Sequence, residues 1–141
     1  MKRLLLTLAL LGIAADAPDT IVKYRQTEMK ALGAHMTAMS MVVTKKQIAS
    51  RAHLAAHAAA VHAVSSGLTD LFPAPDKTKS SAKPEIWTRF DDFKRATANL
   101  ERESAKLSEL AAKKDWKAFD AQYASVVAAC EDCHERYRIR D

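Results

Sequence analysis

Between residues 19 and 44, apolar side chains recur at alternating intervals of three and four: Val22, Met29, Leu32, Met36, Met39 and Val43. That rhythm marks one face of a helix and predicts an element from Asp19 to Thr44, with Asp19 as N-cap behind Pro18. Arg25 falls on the same inward register. Thr44, Lys45, Lys46 and Gln47 then read as a capping box opening a second helix. Its inward line is Leu54, Ala58, Val61 and Leu68, with Ile48 and Ala55 beside it, and Gly67 and Phe72-Pro73 mark its end. Residues 73–83 show no periodicity and read as a loop.

Pro84, at home in a first turn, and Glu85 open a third helix. Its stripe is Ile86, Phe90, Phe93, Thr97, Leu100, Ser104, Leu107 and Ala111. Asp115 caps a fourth, with the stripe Trp116, Phe119, Tyr123, Val126, Cys130, Cys133 and Tyr137. Four amphipathic helices in one chain of 141 residues predict an all-α, antiparallel four-helix bundle. Composition agrees: 48% of residues are hydrophobic, while 3 glycines and 4 prolines leave little turn chemistry for a many-stranded sheet.

Residues 1–15 differ from the rest. Lys2 and Arg3 precede an apolar run from Leu4 to Ala15, shorter than the roughly 20 residues that span a bilayer. The segment reads as a secretory signal cleaved after Ala15, leaving 16–141 as one domain without a membrane anchor. The competing reading is a membrane-anchoring first helix. Loss of Lys2 and Arg3 lowers the formal charge from +5 to +3. No cluster of Lys and Arg with interleaved aromatics is present, so nucleic-acid binding is not expected.

In an exported chain two cysteines ordinarily mean a disulfide. Cys130 and Cys133 lie three apart on a helix, where a bridge needs distorted geometry. With His134 they form Cys130-Glu131-Asp132-Cys133-His134, a C-x-x-C-H attachment signature for c-type haem. Residues three apart share a helix face, so both thiols can reach one porphyrin edge. The next residue lies about 100° further round and can bring its imidazole to the iron. Two other uses compete: a thioredoxin-like redox pair, which belongs at a helix N-terminus, and a zinc site, which needs a fourth ligand.

The segment from Cys130 through His134 to Tyr137 and Arg138 resembles the C-terminus of the class II cytochromes c, cytochrome c′ and cytochrome c-556. Tyr24 to Met29, Leu71-Phe72-Pro73 and Lys83 to Trp87 are similar to that family's other motifs, so the likeness spans the mature chain. The resemblance implies one covalently bound haem c between the helices, a periplasmic location and, frequently, a homodimer. It also implies that Met29 faces the haem opposite His134, as iron ligand in the low-spin c-556 type or off the iron in c′ proteins, which bind diatomic gases.

Met29 lies on the inward stripe, and a soft thioether suits iron. The competing reading is core filler, the ordinary role of Met36 and Met39 on the same stripe. An inward Arg25 needs a partner, which a haem propionate would supply; otherwise its stem packs inward while the charge reaches water. Arg138 sits one turn beyond His134 and is read either as part of the proximal pocket or as a last-turn complement to the helix dipole. His53 and His57, spaced i, i+4, are read as solvent-facing, and His35 and His62 receive no role. Trp87, Phe90 and Phe93 are candidate pocket aromatics. The expectation is an electron carrier serving redox partner proteins. No general base, substrate cleft or second cofactor is visible, and no enzymatic activity is expected.

Overall fold

The computed structural model describes residues 17–76 and 78–140. The expected signal segment, 1–15, lies outside the described residues. Among the described residues five helices follow in order: α1 (Pro18–Val43), α2 (Leu54–Ser65), the short α3 (Glu85–Thr88), α4 (Phe90–Ala112) and α5 (Trp116–Tyr137), with a 3-10 turn at Leu68–Leu71. The four long ones form the bundle, α1 packing on α2, α2 on α4 and α4 on α5. Among the described residues no helix is long and apolar enough to cross a membrane.

The predicted stripes point inward. Leu107, Phe119, Val126, Met39 and Ala58 are fully enclosed, and Val22, Leu32, Val43, Leu54, Val61, Phe93 and Leu100 are buried beside them. A second, smaller cluster of Phe72, Ile86, Phe93, Ala96 and Tyr137 sits at one end of the bundle. Between α5 and α1, the Tyr123 hydroxyl donates to the Met36 carbonyl at 3.0 Å. At the start of α5, Asp115 accepts from the Ala118 amide at 3.2 Å, the N-cap expected of it.

Three boundaries differ from the sequence reading. α1 begins at Pro18, whose preset φ suits a first helical position, so Asp19 lies within the first turn instead of capping it. The capping box at Thr44 does not form. Thr44 ends α1, Lys46 takes a positive φ of 54°, and the Gln47 and Ile48 amides turn back onto the Met41 carbonyl. These two donors share one of the last carbonyls of α1 and are lost to a new helix, so α2 waits until Leu54. Ile48 and Ala55, placed beside the core stripe by periodicity, are both exposed. The third helix is broken at Arg89 (φ −128°, ψ 44°). Asp91 and Asp92 supply the negative charge that favours the fresh N-terminus of α4.

Between α2 and the 3-10 turn the chain reverses at Gly67, whose φ of 75° is costly for any residue with a Cβ. Further on, the loop over residues 81–83 pairs with the chain's tail. The Lys83 amide donates to the Tyr137 carbonyl at 2.9 Å, and the Ile139 amide donates to the Ser81 carbonyl at 2.8 Å. This leaves Ala82 and Arg138 facing each other in a single antiparallel bridge.

Candidate functional site

A cavity of about 430 Å³ opens between α1 and α5. Its α5 wall is Cys133, His134 and Tyr137, and Arg138 follows at the rim. Opposite, α1 presents Arg25, Met29 and Gly33, each four residues from the next and therefore on one face. Leu68, Phe72, Ile86 and Phe93 form an apolar floor, and Ser80 to Ala82 complete the edge. Such a space lies in the size range of small-molecule and cofactor sites.

The helical spacing that places Cys133 and His134 on this wall puts Cys130 one turn earlier, half-buried against the main core. Both cysteines are free thiols, with no disulfide between them. Burial raises both thiol pKa values, with Glu131 adding to the effect at Cys130, and Cys133 is pushed up to about 11 despite the opposing charge of Arg136. Reactive redox cysteines have the opposite shift. They also sit at helix N-termini, whereas this pair lies near the C-terminal end of α5. Among the described residues no three His, Cys, Asp or Glu side chains converge to hold a metal ion, so the ligand set for a zinc site is not assembled.

His134 is half-buried, and its pKa is lowered, first by that burial and then by the positive charge of Arg138. Both effects favour the neutral imidazole, the form that coordinates a metal. Arg138 itself is exposed at the C-cap of α5 and reaches the cavity rim. On the opposite wall Met29 is half-buried and packs against both apolar clusters.

Arg25 is buried at 4% exposure, which excludes the reading in which its charge reaches water. Its guanidinium pairs with Asp76, donates to the Leu71 carbonyl at 3.1 Å and stacks 4.4 Å over the Phe72 ring. Asp76 was not legible as a partner, because the loop that carries it has no periodicity to fix where it points. Phe93 lines the cavity, whereas Trp87 and Phe90 pack against the smaller cluster behind it. The Trp87 indole donates to the Phe72 carbonyl at 3.3 Å.

At the end of α5, Tyr137 and Arg136 both reach Asp92 on α4, at 2.8 and 3.2 Å. The histidines depart from expectation. His53 is exposed as expected, but His57 is half-buried and contacts His35, with 2.9 Å between their Nδ1 atoms. The pKa of His57 is lowered by burial and then by the neighbouring His35 and His53.

A family model described as Cytochrome C′ matches residues 20–138. The chain is 34% identical over 125 residues to a cytochrome c′ of Pararhodospirillum photometricum, covering 86% of this chain and 98% of that protein. It is 30% identical over 120 residues to a cytochrome c-556 of Agrobacterium tumefaciens (strain II Chrys), covering 84% of this chain and 97% of that one. Among solved structures, the nitric oxide complex of a leucine-to-alanine variant of cytochrome c prime from Alcaligenes xylosoxidans superposes with a TM-score of 0.81 at 27% identity, covering 91% of this chain and all of the other. A carbon monoxide-bound glycine variant of the same protein gives 0.79 at 28% identity, covering 88% of this chain and 98% of the other.

Proposed function

The chain belongs to the cytochrome c′ family, and from that premise we propose that it is a mono-haem c-type cytochrome that carries electrons. The reading rests above all on one observation: Met29 and His134 line the same cavity from opposite helices. The residues present suit a haem. The apolar floor suits a porphyrin, two free thiols lie one turn apart, and an imidazole stands beside the second of them.

Cys130 and Cys133 would hold the group through thioethers. His134 and Met29 would both be ligands to the iron, a pair that raises the potential of a haem. Bound there, the haem would supply a one-electron couple between ferric and ferrous iron. Phe72, Ile86 and Phe93 exclude water from that side of the cavity. Arg25 brings a cation to the wall that a propionate could share with Asp76, and Arg138 holds its charge near His134. No catalytic step is assigned to the chain. Its partners are redox proteins, reached in the periplasm after export through the 1–15 signal, and a second copy of the chain.

A five-coordinate protein that binds nitric oxide or carbon monoxide beside Met29 is the second reading, favoured by the gas-bound relatives that share the fold. The absorption spectrum of the ferrous protein separates the two. Low-spin bands that persist under carbon monoxide support Met29 ligation and electron carriage. A high-spin spectrum that carbon monoxide converts at once supports the gas-binding reading. An unmodified polypeptide mass after expression in cells that mature c-type cytochromes would refute covalent attachment.

A further inference from the structure

The seam between α1 and α2 carries a pair of histidines that the haem reading does not use. His35 on α1 and His57 on α2 are both half-buried, and their rings lie 5.2 Å apart, tilted by 55°. Their Nδ1 atoms face each other at 2.9 Å. In the metal-free protein this contact requires opposite tautomers, one ring donating its Nδ1 proton and the other accepting it. Moving that single proton to Nε2 frees both Nδ1 lone pairs with no net change in charge.

The separation, set here by the hydrogen bond, also coincides with the spacing of one class of metal site. Metal–nitrogen bonds of about 2.0–2.1 Å set two nitrogens about 2.9 Å apart at a right angle, and about 3.3–3.4 Å apart at the tetrahedral angle. Right-angled imidazole pairs are the preference of tetragonal ions, and Cu(II) binds such ligands more tightly than the other divalent first-row ions. We propose that His35 and His57 form a two-imidazole site for Cu(II), bound through their Nδ1 atoms, with water in the remaining positions. Because the two ligands come from different helices, the ion cross-links α1 to α2. The site shares no residue with the cavity lined by Met29 and His134.

The test is a titration of Cu(II) into the protein as purified and kept oxidised, followed by calorimetry and by electron paramagnetic resonance of the copper. One ion per chain with hyperfine structure from two imidazole nitrogens is expected, together with a rise in Tm. His35→Gln and His57→Gln should each weaken binding at least tenfold and abolish the rise in Tm, while His53→Gln, at an exposed neighbour, should leave both in place. Zn(II) should bind more weakly than Cu(II). Unchanged visible spectra and metal-free Tm values in the variants show that they fold. The proposal is overturned if Cu(II) fails to bind in the micromolar range, or if binding survives in either His35→Gln or His57→Gln.

Discussion

The Tyr137 hydroxyl donates a 2.8 Å hydrogen bond to Asp92, fastening the last turn of α5 to the first turn of α4. That bond is the largest influence holding the Asp92 carboxyl below its ordinary pKa, ahead of Arg95, Arg89 and Arg136. A carboxylate with a depressed folded pKa stabilises the fold above its unfolded pKa, and that stability is lost as pH falls through the folded value. Asp120 behaves alike, held down first by its two bonds to Arg51 at 2.7 and 2.8 Å. Stability should therefore decline on acidification, beginning at the ordinary carboxylate pKa and ending below it. Asp92→Asn and Asp120→Asn should each flatten that decline in denaturant titrations over a pH series. An unchanged slope in both would remove these carboxylates from the account.

Met29→Ala should convert a low-spin iron to a high-spin one and open the distal side to carbon monoxide. Stopped-flow absorption would record rapid binding where the parent protein shows little. Met36→Ala, altering a thioether outside the cavity lining, should leave the spin state unchanged.

Cys133→Ala should leave a haem joined through Cys130 alone, and Cys130→Ala through Cys133 alone. Acidic acetone should extract no haem from either variant and all of it from the double variant. Extraction from both single variants would mean that neither thioether forms.

Arg25→Met should destabilise the protein by about 3 kcal/mol, because it leaves the Asp76 carboxylate, only 11% exposed, without its countercharge. Adding Asp76→Asn should recover much of the loss, since the stranded charge is then gone. Chemical denaturation of the two variants measures the difference. Equal stability of the single and double variants would show that the pair is not coupled.

Much of this was legible beforehand because helices expose their inner faces as a period. Phe119, Val126 and Tyr137 are core positions by spacing alone, and the same stripe carries Cys133 to the cavity wall, with His134 about 100° further round. Where chain direction depends on competition for hydrogen bonds, periodicity was silent. The amides of Gln47 and Ile48 went to the end of α1, although their sequence suited a new helix. Asp76 and the His35–His57 contact were out of reach for a related reason. Each joins residues whose neighbourhood is decided by how two elements cross, which no single stripe encodes.

The pairing of residues 81–83 with the tail beyond Tyr137 means that one edge of the cavity is a splice between two remote stretches of chain. His134 stands next to that splice, so a change in the loop need not touch the imidazole to disturb it. Shortening the tail would loosen the loop, and lengthening the loop would shift the tail. The environment of the ligand is thus governed from both ends of the joint.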